Sequence, residues 1–415
     1  MAGSDFQVVI VGAGAAGIAA ARQLRDAGVE ALLVEARSRL GGRAWTESGS
    51  GFPVDLGCGW LHSADRNPWR TIAEAQGRRI DTTPPPWTKP SLPYGFPLAE
   101  QAASGKARTK FYQRLASFRD GMPDIPAAAF LEPNGKWNNL INAVSTYVSG
   151  VELDRVSVVD LTRYADSGID WRVVEGLGRV IAAHAGDVRV VLNCPVQRID
   201  RSGKRLKVDL AHGTIWAQTI IVTLPSDLIA RQAIRFTPAL PDKIEAAAGV
   251  PLGFADKLFL SLSDPEEFEE DSRLFGCIDA KGAGAYHIRP FGRPLIEGYF
   301  GGRLAGELEA AGEAAFYDFA ISDLVALLGG DFARRVKPLK AHFWGKDPFS
   351  RGSYSYALPG KADCRSNLAM PVEDRLFFAG EACSRSDFST AHGAYFTGVA
   401  AAGQALAALR KDRVQ

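Results

Sequence analysis

Three stretches of this chain carry residue types whose spacing can do chemistry. The first is Phe6 to Arg43, in which Gly12, Gly14 and Gly17 fall at GxGxxG spacing, with Ala15 and Ala16 between them. The first glycine permits a tight turn, and the second lets backbone N–H groups approach a pyrophosphate. The third lets the following helix lie close on the preceding strand. Glu35 stands about 20 residues further on, where a carboxylate accepts from ribose hydroxyls and repels a 2′-phosphate. The second stretch is Phe254 to Ser263, FADKLFLSLS. Its period of two puts Leu258, Leu260 and Leu262 on one face and Lys257, Phe259 and Ser261 on the other. A lysine in such a pattern ordinarily marks a solvated edge strand. The third is a pair of glycine-punctuated segments, Phe343 to Tyr356 and Arg375 to Ala405, of which the first is rich in aromatic residues and suits a pocket wall.

These residues need elements to hold them. Val8 to Val11 is a β-branched apolar run, as in a strand buried on both faces of a parallel sheet. An Ala-rich helix from Ala15 to Ala27 stops at Gly28, with its positive end toward the phosphates. A second strand, Ala31 to Val34, leads into Glu35. In the loop FPVDLGCGWLH, Gly57, Cys58, Gly59 and Trp60 let backbone press on a planar ligand beside an aromatic wall. An ordinary glycine-rich loop with a core Trp has the same spacing. Six prolines between Pro84 and Pro97 break the chain's composition and mark an exit from the nucleotide-binding part. Helices are predicted over Ala99–Arg119, within Leu131–Tyr164 and over Glu307–Leu328. Val188–Leu192, Val196–Ile199, Leu206–Leu210 and Ile215–Leu224 read as strands without intervening helices, hence an antiparallel ribbon on the parallel sheet. Leu376–Ala379 is a strand, Gly380–Glu381 a turn, and Ala391 starts a helix. Gly393, Gly398 and Gly403 weaken that helix, which implies close approach to a neighbour.

With 415 residues, the chain is expected to form two domains. Lys and Arg number 48 against 47 Asp and Glu, so charge gives no case for nucleic acid or an anionic membrane. No window reaches about 18 uninterrupted apolar residues. The apolar N-terminal stretch is the glycine motif itself and lacks a basic n-region, so it does not read as a secretory leader. Five cysteines without a CxxC pair suit a reducing compartment. The histidines show no HxxxH or HExxH spacing, so no metal is expected. These features point to a soluble, cytoplasmic protein.

The ordered set VIVGAGAAG, E-x-R-x-R-L-G-G-R, DLGCGW, VEGLGRV, TLP, G-x-x-x-K, DPFSRGSYSY and LFFAGEACS…AHGAYFTG resembles the flavin-containing amine oxidase family, which includes monoamine and polyamine oxidases. The resemblance implies an α/β fold with a Rossmann-like FAD-binding domain of the glutathione-reductase type, built from residues 1–83, 173–253 and 341–415. An α+β substrate domain, residues 84–172 and 254–340, would be inserted into it. FAD would be held by the glycine turn and Glu35 with Ala36 and Arg37, and by Gly41, Gly42 and Arg43 nearer the flavin. Val196, Thr223, Pro225, Trp344, Gly380, Glu381, Ala391 and Ala394 complete the implied cofactor set, with a helix beginning near Ala394 aimed at the flavin.

The resemblance further implies that Lys257 bridges through water to flavin N5 and that Tyr354 and Tyr395 flank the substrate nitrogen. A neutral amine would lose hydride to the flavin, the imine would hydrolyse to aldehyde or ketone, and O2 would reoxidise the flavin to give hydrogen peroxide. Ser353 occupies the position where mitochondrial-type relatives attach FAD through cysteine, so non-covalent FAD is implied. Alternatives on the same scaffold are an L-amino acid oxidase, which would need an arginine clamp such as Arg66 or Arg289, and a desaturase or protoporphyrinogen oxidase-like enzyme. Monomer and homodimer both remain open.

Overall fold

Strand β1 (Asp5–Val11) lies inside an eight-stranded sheet because its side chains are apolar on both faces. The computed structural model describes residues 4–119, 121–278 and 282–414. β1 pairs in parallel with β2 (Ala31–Val34), which in turn pairs with β3 (Val190–Val191). On the other side it pairs with β6 (Gly213–Val222). The first half of β6 is antiparallel to β5 (Leu206–Leu210), which pairs with β4 (Val196–Asp200), itself parallel to β7 (Arg235–Thr237). The last residues of β6, Ile220 to Val222, pair in parallel with β13 (Leu376–Phe378). Of the four consecutive strands expected as an antiparallel ribbon, β4, β5 and β6 form one grafted onto the parallel sheet, while β3 instead extends the parallel part beside β2.

Alternation along β1 feeds two cores. Val8 and Ile10 pack with helices α1 (Ala15–Asp26) and α6 (Ala391–Val414). Val9 and Val11 pack on the opposite face with Ile220 and Leu368. α1 and α6 cross closely: a Cβ on Gly398 would lie 2.2 Å from the Ala16 carbonyl oxygen. A Cβ on Gly393 would lie 1.9 Å from the Asp387 carbonyl oxygen, but one on Gly403 would have nothing within 4 Å, so close approach accounts for Gly393 and Gly398 and not for Gly403.

A second sheet has five strands in the order β9 (Ser272–Phe275), β10 (Ala285–Ile288), β11 (Leu295–Gly301), β8 (Ala255–Leu262), β12 (Val336–His342). β8 is antiparallel to β11 on one side and to β12 on the other, so Lys257 stands on an interior strand and not on an edge. Leu258, Leu260 and Leu262 enter a core with α4 (Gly302–Ala311) and α5 (Glu313–Leu328). The run predicted as one helix over Glu307–Leu328 is two, broken at Gly312 with φ +101°. α2 (Leu98–Leu115) and α3 (Asn138–Ser149) add wall to the cavity beside the second sheet, through Arg108 and through Val144, Tyr147 and Val148. Among the described residues no helix is long and apolar enough to cross a membrane, and no His, Cys, Asp or Glu cluster is arranged to hold a metal.

Candidate active site

One cavity of about 650 Å³ runs from the glycine turn after β1 to the polar face of the second sheet. At its first end α1 has no side-chain cap, so its leading N–H groups are free for an anion. Glu35 is 5% exposed and spends Oε2 on the Ala13 N–H at 2.7 Å and Oε1 on the Arg37 N–H at 2.8 Å. Each oxygen keeps a lone pair for a ribose hydroxyl. Thr223 Oγ1 donates back to the carbonyls of the turn, at 2.9 Å to both Val11 and Gly12. These donors and acceptors fit the ADP half of a dinucleotide.

Gly12, Gly14, Ala15, Ala16, Ala36, Arg37, Gly41, Gly42 and Arg43 line this end, with Val196, Thr223 and Pro225 opposite. Gly57, Cys58, Gly59, Trp60, Trp344, Gly380, Glu381, Ala391 and Ala394 border the middle. Gly17 does not face the cavity; a Cβ there would lie 1.9 Å from the Gly12 carbonyl oxygen, which is the helix-on-turn contact its position predicts.

The loop between β12 and β13 is pinned by a buried network. Arg365, with no exposed surface, holds Asp160 through Nε at 2.7 Å and Nη2 at 2.8 Å. Its Nη1 donates to Ser355 Oγ at 2.7 Å, and Ser355 Oγ donates to Glu381 at 2.6 Å. Glu381 also pairs with Arg43 at 2.9 Å and accepts the Ser389 N–H at 2.9 Å. Burial alone would raise the Glu381 pKa, but the Arg43 and Arg365 charges outweigh it and hold it below its ordinary value. A buried carboxyl pair holds the same loop elsewhere: Asp256 accepts the Trp344 N–H at 3.0 Å and Glu309 the Gly345 N–H at 2.8 Å. Burial, then the neighbouring Glu309 charge, pushes Asp256 well above the usual carboxylate range.

At the far end Lys257, 7% exposed, lies 2.8 Å from Glu297 and donates to the Asp55 carbonyl at 3.2 Å. Burial by itself would lower the Lys257 pKa, but Glu297 outweighs it and the ammonium is held above its ordinary value. Glu297 is correspondingly lowered, Lys257 and His287 overcoming its burial. Tyr354 Oη donates to the Tyr147 carbonyl at 2.6 Å, so the 2.9 Å contact between the two phenols has Tyr299 as donor. Burial, then Tyr299, pushes Tyr354 well above the ordinary phenol value. Both hydroxyls therefore stay protonated across the working pH range. Burial, then Asp55, pushes the Cys58 thiol up to about 12, leaving a poor nucleophile.

Two expectations need correcting. Tyr395 does not line the cavity; its ring packs 5.2 Å from Trp69 and 6.2 Å from His184. α6 starts at Ala391, as its sequence leads one to expect, and Ala391 and Ala394 share its cavity face at i and i+3. One further residue turns Tyr395 about 100° away. Tyr299 stands beside Tyr354 instead. Nor do the arginines singled out for a carboxylate clamp reach the cavity: Arg66 pairs with Asp387 at 2.5 Å, and Arg289 donates to the Phe268 carbonyl at 2.7 Å. Glu297, Tyr299, Tyr147 and Thr390 line the site and escaped the sequence reading. Period-two alternation through Glu297 and Tyr299 in β11 was the available signal for two of them.

The sequence profile of the flavin containing amine oxidoreductases matches residues 15–91 and 129–406. Polyamine oxidase 5 of Oryza sativa subsp. japonica is 29% identical over 437 residues, covering 96% of this chain and 87% of that protein. A lysine-specific histone demethylase 1 homolog of Arabidopsis thaliana is 26% identical over 444 residues, but only 59% of that longer protein is covered. Among solved structures, a putrescine oxidase variant redesigned for cofactor binding superposes with TM-score 0.80 at 18% identity, covering 97% of this chain and 99% of that one. Cyclohexylamine oxidase from Brevibacterium oxydans superposes at 0.75 and 21% identity, covering 98% and 100%. The profile match spans most of the chain: this protein belongs to the flavin-containing amine oxidoreductases, FAD-dependent enzymes.

Proposed function

We propose that this enzyme is an amine oxidase that takes hydride from the carbon bearing a neutral amine. The observation that carries the reading is Lys257, a buried ammonium on an interior strand, in the same cavity as the glycine turn and the Tyr299–Tyr354 pair. Bound FAD supplies the two-electron acceptor, and O2 then takes those electrons to form hydrogen peroxide. One water hydrolyses the imine, so amine, O2 and water give aldehyde or ketone, ammonia or a shorter amine, and hydrogen peroxide.

The chain's own contribution is placement. Lys257 has three donors, of which Glu297 and the Asp55 carbonyl take two. The third is left for a water held toward the reacting centre. As a stabilised ammonium it is a hydrogen-bond donor and not a base. Tyr299 and Tyr354 stay protonated, so neither removes the substrate's proton, and the amine must enter unprotonated. Their rings, with Trp60 and Tyr147, exclude water and orient the amine. Residues 1–83, 173–253 and 341–415 serve the cofactor in this reading, and 84–172 with 254–340 shape the amine's end. The names of the relatives, polyamine, putrescine and cyclohexylamine oxidases, favour a small amine.

The test is anaerobic addition of mono-, di- and polyamines and amino acids to the yellow protein. Bleaching by amines, slowed in Lys257→Met at full flavin content, is the expected result. No bleaching by any amine would refute the reading.

A further inference from the structure

The substrate end of the cavity holds a guanidinium without a counter-ion. Arg273 lies on β9, directly across from His287 on β10, and its side chain lines the cavity. Among the described residues it has no ion pair and its side chain donates no hydrogen bond; its guanidinium stacks 4.0 Å from the centre of the Phe275 ring. Stacking occupies the flat face and leaves the in-plane N–H fork open. The carboxylates nearby are already committed. Asp271 is held by Arg172 at 2.9 Å and His287 at 2.8 Å, and Glu297 by Lys257.

The charged group that does act on Arg273 is another cation, Arg108 on α2, which also lines the cavity and likewise has no ion pair. Burial, then this repulsion, lowers the Arg273 pKa to about 10, which still leaves it charged at neutral pH. An arginine on an edge strand can simply discourage strand addition. Here the edge is already covered, since the Leu92 N–H bonds to the Arg273 carbonyl at 2.7 Å. The guanidinium is turned into the chamber.

We propose that Arg273, with Arg108 beside it, binds a carboxylate on the amine substrate, so that the enzyme oxidises ω-amino carboxylates in preference to diamines. This rests on the amine oxidase reading above. The in-plane fork matches a carboxylate in a bidentate contact. The carboxylate belongs at the chain's far end and not on the carbon that bears the nitrogen. β9 lies three strands from β8, about 14 Å of sheet between Arg273 and the Lys257 strand. Tyr147 stands between, its ring 5.7 Å from that of Tyr299. A diamine would instead bring a second ammonium against two unpaired cations.

The experiment compares three substrates of equal chain length on the holoenzyme: 5-aminopentanoate, pentylamine and 1,5-diaminopentane, with norvaline as the α-amino acid. Anaerobic flavin reduction gives kcat/KM for each. The expected order is aminopentanoate over pentylamine by about tenfold or more, as for a charge-assisted bidentate pair, with diaminopentane last. Arg273→Met should cut the aminopentanoate-to-pentylamine ratio by about tenfold and raise diaminopentane relative to both. Arg273→Lys should restore part of the ratio, and flavin content reports folding for each variant. Diaminopentane preferred over aminopentanoate, an unchanged ratio in Arg273→Met, or norvaline as the best substrate would each overturn the proposal. Failure of all four compounds, pentylamine included, would instead strike at the amine oxidase reading.

Discussion

Replacing Arg365 with Met should loosen the loop that carries Tyr354, and the size of the effect follows from the contacts. Asp160 is 1% exposed, and among the described residues its remaining donor to the carboxylate is the Ala357 N–H at 2.9 Å. Removing one partner of a buried ion pair costs about 3–5 kcal/mol, because the other charge stays buried. Unfolding entropy of about 2.1 cal/mol/K per residue gives roughly 0.9 kcal/mol/K for this chain, so the Tm should fall by about 3–6 °C. Heating while recording the fluorescence of released flavin measures it, since Ser355 and Glu381 tie the loop to the cofactor's site. Asp160→Asn combined with Arg365→Met removes the stranded charge and should recover most of the loss. A single variant melting within about 1 °C of the parent, or a double variant no better than the single, would refute the reasoning.

Glu297→Gln removes the charge that outweighs burial at Lys257, so the lysine's pKa should drop below its ordinary value. The ammonium would then be lost within the assay range, and the pH profile of flavin reduction should gain a falling alkaline limb that the parent lacks. Asp256 has a folded pKa raised above its unfolded value of 3.8, so its contribution to stability is full below that pH and is lost as pH rises toward the folded pKa. Asp256→Asn should therefore flatten the dependence of Tm on pH above about pH 4 and melt no lower than the parent at pH 8. Acid denaturation should release all the flavin into the filtrate, since Ser353 Oγ is engaged with the Ala255 N–H at 2.7 Å and carbonyl at 2.8 Å; flavin retained on the chain would refute non-covalent binding.

The cofactor arm was legible because its signals are local: a β-branched run, glycines at fixed offsets and an acid at the next strand's end all lie within Phe6 to Arg43. The face of β8 was legible for the same reason, its period of two separating Lys257 from the leucines. What escaped depends on register between distant strands. Glu297 reaches Lys257 only because β11 pairs with β8 so that Lys257 faces Tyr299 and Phe259 faces Glu297. Arg273 reaches the chamber from two strands further out. Tyr395 was misplaced by helix phase: the start of α6 was legible, but which of its faces meets the cavity is set by its packing on α1 and Trp69. Gly312 splits a run whose composition reads as one helix, because its φ of +101° cannot continue a right-handed turn.

The alternation in β8 has a consequence for how faithfully the site is assembled. If the strand slipped by one position against β11 and β12, Lys257 would turn into the core that Leu258, Leu260 and Leu262 fill. Those leucines would turn into the polar chamber. A charge would then be buried without Glu297, at a cost large on the scale of total stability. The apolar side of the strand thus proofreads the reactive side: a molecule with its second sheet mispaired is too unstable to persist, and any molecule that survives carries Lys257 in place.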